Sequence, residues 1–216
     1  MNETISAAGR ECIILFTRFP QPGRVKTRMI DRLGPQGAAD LHTKMTEQVI
    51  CTIEPVLQTR KIQLQIYFCG GSQQEMTDWL GRNWTFCTQQ GNDLGQRMEH
   101  AFAQTIQQGA ERILLIGSDC PDITADIITS GLKKLNSHDL VLGPAADGGY
   151  YLIGLRAPGN KKTILFNSIN WGTDRVLEQT LTQAQKGGLS YTLLPQLHDI
   201  DRPEDLVYFN HYTCSQ

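Results

Sequence analysis

The sequence predicts a single α/β domain, a three-layer α/β/α sandwich built on a mainly parallel mixed sheet. Apolar runs of strand length alternate with longer stretches of helical period, as helices packed on both faces of a sheet require. Loops rich in Gly, Pro and Asp follow several of those runs directly, where open α/β sheets bind their ligands. The length of 216 residues and the 40% hydrophobic content fit one core. Residues 1–10 read as a flexible polar tail and residues 11–216 as the domain.

The elements follow in order. Cys12 to Phe16 is a continuous apolar run, a buried strand, and Thr17 to Arg28 is a Pro/Gly-rich loop at its carboxyl end. Gly34-Pro35 opens a long helix, because Leu41, Met45, Val49, Ile53 and Leu57 recur every fourth residue. Ile62 to Phe68 alternates as a strand does, residues 73–82 suit a short helix, and Trp84 to Cys87 a short strand. A helix over Leu94 to Gln108, the strand Ile113 to Ile116 and a helix near Thr124 to Leu135 come next. Leu140 to Leu142 and Tyr150 to Leu155 are strands around an Asp147-Gly148-Gly149 turn, and two last helices start near Thr173 and Arg202.

Composition narrows the function. A net charge of −2 offers no general attraction to nucleic acid or anionic membranes, so any phosphate binding must be local. The polar start and the lack of a long apolar stretch predict a cytoplasmic protein without a membrane partner. Six cysteines, at 12, 51, 69, 87, 120 and 214, show no CxxC pair and read as reduced structural residues. The five histidines have no metal-protease spacing and Ser118 lies in no GxSxG elbow, which argues against zinc and serine hydrolases.

The first loop carries the densest charge. Arg18, Arg24, Lys26 and Arg28 fall within eleven residues, with Gly23 among them. Gly lets backbone approach a ligand, Lys is a point charge and Arg a planar fork, so the loop reads as a polyphosphate cradle, with a solvated basic turn as the alternative. Val25 before Lys26 excludes a Walker A loop, and no GxGxxG follows a strand.

Acidic loops supply the complement. Gly117-Ser118-Asp119-Cys120-Pro121-Asp122 follows a core strand, and a phosphate-bound Mg²⁺ or Mn²⁺ needs one or two carboxylates of this kind. Asp119 is the better ligand candidate, though either aspartate could be a turn residue; Asp122 suits a turn or a cap. Asp201 could hold the same metal or could cap a helix, since Glu204 lies three residues on and Pro203 fits a first turn; Asp199 ranks lower. Asp147 could take a proton or bond a sugar hydroxyl, with Gly148, Gly149 and Tyr150 lining the acceptor, or the string could be a plain hairpin turn. Asp93 and Arg97 could contact the nucleotide, and Trp171 could stack on substrate, although a core role suits Trp171 better and Thr173 reads as a helix cap.

Taken together, these strings resemble a bacterial family of GT-A-like transferases, the nucleotide-diphospho-sugar transferases, some of them named arsenosugar-biosynthesis glycosyltransferases. The resemblance runs from about Ile13 to Tyr208 and rests on the Pro-Gly-Arg-Val-Lys-Thr-Arg loop, Asp-Leu-Gly-Gln-Arg-Met, Gly-Ser-Asp-Cys-Pro-Asp, Asp-Gly-Gly-Tyr-Tyr and Trp-Gly-Thr. Asp-Ile-Asp-Arg-Pro-Glu-Asp-Leu is similar to a string of sugar and molybdopterin nucleotidylyltransferases, which implies a metal role for Asp201 and a phosphate role for Lys26. Their glycine-rich loop start is replaced here by Phe-Pro-Gln-Pro-Gly.

The expectation is metal-dependent glycosyl transfer from a nucleotide sugar to a small acceptor. Lys26, Asp119 and Asp147 would be catalytic, Asp119 and Asp201 would hold Mg²⁺ or Mn²⁺, and Lys26 and Arg28 would hold the diphosphate. The first alternative is a nucleotidylyltransferase that uses an NTP and releases pyrophosphate; the second is a nucleotide-binding regulatory protein without turnover. A homodimer is compatible with the sequence.

Overall fold

The computed structural model describes residues 10–60, 62–157 and 162–209. The flexible tail expected at residues 1–10 therefore lies, but for Arg10, outside the described residues, as does Cys214. Seven strands form one sheet in the order β3-β2-β1-β4-β6-β5-β7. They are β1 Glu11–Arg18, β2 Gln63–Cys69, β3 Thr85–Thr88, β4 Arg112–Gly117, β5 Leu140–Pro144, β6 Tyr150–Arg156 and β7 Tyr191–Leu193. The helices are α1 Ile30–Arg60, α2 Gln73–Leu80, α3 Leu94–Gln107, α4 Ala125–Lys134 and α5 Val176–Lys186.

Among the described strands only β6 is reversed. It pairs antiparallel with β4 and β5, whereas β1 runs parallel to β2 and β4, β2 to β3, and β5 to β7. The mixed, mainly parallel sheet is thus as expected, and the Asp147-Gly148-Gly149 turn is the connection between β5 and β6. Because β6 starts where β4 and β5 end, that turn lies on the same rim as the loops after β1 and β4.

Both sheet faces are covered, which explains the continuous apolar runs. Ile13, Leu15, Ile66, Leu114 and Ile116 pack on one side with Val49 and Ile53 of α1 and Ile128 and Leu132 of α4. Cys12, Ile14, Phe16, Ile113 and Leu115 pack on the other with Met98 and Phe102 of α3 and Ala184 of α5. Each such side chain removed from water stabilises the fold by about 1.5–3 kcal/mol.

Local chemistry sets the helix boundaries. α1 kinks at Gly34 (φ 70°, ψ 166°), so the expected Gly-Pro start is a break, and a 3-10 turn over Thr27–Met29 precedes the helix. Asp93 and Thr124 cap α3 and α4 by accepting from Gln96 N and Ile127 N. Thr173 does not cap α5, which starts three residues later; its hydroxyl donates to Asn170 O at 2.8 Å. The helix expected from Arg202 is a 3-10 turn, Pro203–Tyr208. Cys12, Cys69, Cys87 and Cys120 are free thiols, but Cys51 is disulfide-bonded, which corrects the expectation that every cysteine is reduced. Among the described residues no helix is long and apolar enough to cross a membrane.

Candidate active site

The sheet order reverses at β1. From there the chain builds β2 and β3 on one side and β4 on the other; α1 after β1 and α4 after β4 pack on the same face of the sheet, so the two loops meet on the rim at the strands' carboxyl ends. Three segments meet there: the cation-rich loop after β1, Ser118–Thr124 after β4, and the run to Ile200 and Asp201. A bridge between Ala145 and Leu197 extends the sheet, and the Ile200 N–H donates to Asp119 O at 2.8 Å, which places residues 199–201 beside the β4 loop.

Lys26 is the centre of the arrangement. Its backbone is left-handed (φ 44°, ψ 46°), and its side chain is only 4% exposed. The ammonium lies 2.7 Å from Asp119 Oδ1, donates to the Ile200 carbonyl, and stands 3.9 Å from Asp201 Oδ1. Arg28 Nη1 donates to the other Asp201 oxygen at 2.6 Å. The structure therefore brings Lys26, Arg28, Asp119 and Asp201 together across more than 170 residues of sequence.

Asp201 is not a helix cap. Asp205 Oδ2 accepts from the Asp201 and Arg202 amides at 3.0 and 2.6 Å, which leaves the Asp201 carboxylate to the two cations. Asp122 caps nothing either, since Thr124 takes that role; burial pushes its carboxyl up, against the pull of His198.

The field along this rim is uneven. Burial would raise the Asp119 carboxyl, but Lys26 as charge and donor, with His42 and Arg18 behind it, holds it below the usual carboxylate range. The carboxylate nevertheless opens to solvent, with 57% of the side chain exposed. Asp199 is pushed the other way, by burial and then by Asp147, with Asp205 and Asp201 adding to the repulsion. Asp147, Asp199, Asp201 and Asp119 thus share one electronegative rim.

His42 lies beneath it. Buried at the side of α1, its Nε2 is 3.0 Å from Arg18 O and 3.3 Å from Thr17 Oγ1, tying the helix to the end of β1. Burial lowers its pKa, with Asp119 opposing, and among the described residues its Nδ1 has no hydrogen-bond partner. Protonated Nε2 and bare Nδ1 describe a neutral ring that donates to the strand's last carbonyl.

The Asp147 turn is built against α5. A Cβ on Gly148 would stand 2.1 Å from Asp174 O, and the Leu177 N–H donates to Gly148 O at 2.9 Å. Asp147 Oδ1 accepts from the Gly149 amide at 2.8 Å, so one oxygen sets the turn and the exposed carboxylate keeps a second.

Other expected residues serve the scaffold here. The Asp93 carboxylate is the α3 cap and Arg97 Nε donates to Gly91 O at 3.1 Å. Gly23 (φ 77°) provides the turn before Lys26. The Tyr150 phenol is buried beside Thr180 of α5, and burial raises its pKa; this corrects its placement on the acceptor. Trp171 packs on α3, where a Cβ on Gly95 would come within 2.7 Å of its ring, the core role favoured over stacking. Arg18 is exposed at the end of β1, close enough to act on Asp119.

Sequence reasoning missed His42, the Ile200 carbonyl and Arg202. Arg202 lines a cavity of about 300 Å³ with Arg28, Pro203 and Glu204, beside the Asp201 pair. A second hollow of about 250 Å³ lies at the ends of β2 and β3, among Phe68, Phe86, Gln73, Gln90 and Gln104. A polar period in α1 could have flagged His42; nothing marks a backbone carbonyl in advance.

Among the described residues no three or more His, Cys, Asp or Glu side chains form a cation site. Asp119 and Asp201 are nevertheless hard oxygen donors that flank a single ammonium. That set fits a Mg²⁺ or Mn²⁺ completed by phosphate oxygens and water, not one caged by protein.

The fold defines the class: an α/β fold of the nucleotide-diphospho-sugar transferase type. A protein from Desulfovibrio desulfuricans G20, described provisionally as a nucleotide-diphospho-sugar transferase, superposes with a TM-score of 0.82 at 33% identity, over 89% of this chain and 82% of that one. The chain belongs to the DUF2064 family, described as uncharacterized proteins conserved in bacteria, whose model matches residues 52–173. It is also 34% identical over 108 residues to 3-phospho-D-glycerate guanylyltransferase from Phenylobacterium zucineum (strain HLK1); the matched part is 48% of this chain and 46% of that relative. The fold is shared with the inositol-1-phosphate CTP transferase of T. maritima, at a TM-score of 0.55 and 14% identity, over 92% of this chain and 91% of that one.

Proposed function

We propose that the protein is a transferase that uses a nucleotide-activated donor, and that the reaction is nucleotidyl transfer from a nucleoside triphosphate to a small phosphorylated acceptor. The observation that carries the reading is the Lys26–Asp119–Asp201–Arg28 constellation at the reversal of the sheet, where cations and carboxylates alternate within 4 Å. Polyphosphates need that alternation, since their oxygens bind cations and their metal binds carboxylates. The likeness to a guanylyltransferase supports an NTP and makes GTP the first donor to try.

In this reading Lys26 and Arg28 hold phosphate oxygens, and Arg18 adds positive potential at the end of β1. Asp119 and Asp201 would hold Mg²⁺ or Mn²⁺, which supplies neutralisation of phosphate charge when bound. An acceptor oxygen attacks the α-phosphorus, the bond to the bridging oxygen breaks, and pyrophosphate departs with that electron pair. Where the nucleophile is a hydroxyl, the free oxygen of Asp147 takes its proton. His42 acts through position, holding the end of β1 from which the cation loop springs.

Glycosyl transfer from a nucleotide sugar is the second reading, favoured by the likeness to the Desulfovibrio protein. The test is incubation with GTP or with GDP-mannose, Mn²⁺ and a panel of phosphorylated hydroxy acids, with products followed by mass spectrometry. Pyrophosphate and a nucleotidylated acceptor are expected from GTP. GDP and a glycosylated acceptor from the nucleotide sugar, with GTP inert, would replace the first reading by the second.

A further inference from the structure

We propose that in the free protein the Lys26 ammonium occupies the place between Asp119 and Asp201 that a divalent cation would take, so that the metal enters only once a phosphate draws the lysine away. The phosphate half of this inference rests on the function proposed above; the competition between lysine and metal stands on the geometry alone.

Lys26 donates to Asp119 Oδ1 (2.7 Å) and to the Ile200 carbonyl, and its charge stands 3.9 Å from Asp201 Oδ1, an ion-pair distance. No room is left for a loosely held, exchanging amine, since the side chain is 4% exposed and its backbone is fixed in the left-handed region. Arg28 takes the second Asp201 oxygen at 2.6 Å, so both carboxylates are already neutralised by the chain's own cations. A divalent cation placed between them would meet the ammonium at short range, and like charges at that distance exclude one another. Among the described residues no larger acidic group offers the cation another site.

A polyphosphate changes the balance. It gives Lys26 and Arg28 new anionic partners, frees the two carboxylates, and brings the remaining oxygens that a six-coordinate Mg²⁺ requires. Metal and nucleotide then bind as a unit, and reciprocity requires each to raise the affinity of the other by the same factor.

The experiment is Mn²⁺ titration followed by electron paramagnetic resonance, on wild type, Lys26→Met, Lys26→Arg and the double variant Lys26→Met/Asp119→Asn, with circular dichroism to establish folding and Lys26→Gln in reserve if Lys26→Met does not fold. Without nucleotide, wild type and Lys26→Arg are expected to bind Mn²⁺ weakly and Lys26→Met at least tenfold tighter, a gain the double variant loses. Equal affinity in wild type and Lys26→Met, or a gain that survives in the double variant, overturns the proposal. With GTP present and the Mn²⁺–GTP complex in solution accounted for, wild type should gain at least tenfold in Mn²⁺ affinity and Lys26→Met should lose most of that coupling. Equal coupling in both would remove phosphate as the agent that moves the lysine. Failure of GTP to bind at all would count against the proposed function, while the titrations without nucleotide still decide whether Lys26 excludes the metal.

Discussion

Gly148→Ala tests how the Asp147 turn is held. The added Cβ would sit 2.1 Å from Asp174 O and 2.6 Å from the carbonyl carbon and Cα of the same residue, all backbone atoms that no rotamer change can clear. The residue also has φ +89°, where an alanine costs about 1–2 kcal/mol without any clash. Overpacking adds about 1–3 kcal/mol, for a total of about 2–5 kcal/mol. Gly172→Ala is the control: its φ is +80° but nothing lies within 4 Å of its Cβ, so it bears the backbone cost alone. The two variants should differ by about 1–3 kcal/mol in urea unfolding, or about 2–12 °C in Tm at this chain length. Turnover should fall for Gly148→Ala alone, because the start of α5 and Asp147 must part. Equal stability of the two variants would refute the claim that the turn is seated on the Asp174 backbone.

Arg28→Ala should leave stability within about 1 kcal/mol, since the pair with Asp201 is largely exposed, yet weaken nucleotide binding about tenfold by calorimetry. His42→Leu removes the buried imidazole that ties α1 to the end of β1 at Thr17 Oγ1 and Arg18 O and should cost about 0.5–1.5 kcal/mol in urea unfolding. Asp139, bonded by Ser190 and Arg156, has a carboxyl pKa lowered to about 2. A carboxyl depressed in the folded state stabilises fully above its unfolded value of about 3.9 and loses that contribution as pH falls towards its folded value. Unfolding curves at pH 5 and pH 2.5 should therefore converge more for Asp139→Asn than for wild type.

The sheet was legible because burial on both faces writes continuous apolar runs, as at Ile13–Leu15 and Ile113–Ile116, and because the period of α1 is long. β7 was not: three residues, Tyr191–Leu193, carry too little pattern, and the strand is held from both sides, where Ser190 O accepts from the Asp139 and Leu140 amides at the start of β5 and the Leu194 N–H donates to Leu142 O. In the site, Lys26 and Asp119 could be singled out because the loops that carry them follow core strands directly, and the ends of β1 and β4 are neighbours at the reversal of the order. Asp201 was ambiguous since a capping aspartate and a paired one look alike in sequence; Asp205, four residues on, takes the amides and releases it. Asp93 and Arg97 lie in suggestive strings, and each gives one polar atom to the local scaffold, Asp93 Oδ1 to the start of α3 and Arg97 Nε to the Gly91 carbonyl, while the Tyr150 hydroxyl is buried under α5. No string encodes that Ile200 turns its carbonyl to Lys26, a contact across 174 positions.

The proposed function stands or falls on the binding of nucleotide phosphates where the loops after β1 and β4 meet, with the help of a divalent metal. Calorimetric titration of GTP into wild type and Asp119→Ala, with and without Mn²⁺, addresses it most directly. Binding by wild type is expected to need Mn²⁺ and to weaken at least tenfold in Asp119→Ala; metal-independent binding, unchanged binding by the variant, or no binding of GTP or any other nucleoside triphosphate or nucleotide sugar would overturn the proposed function.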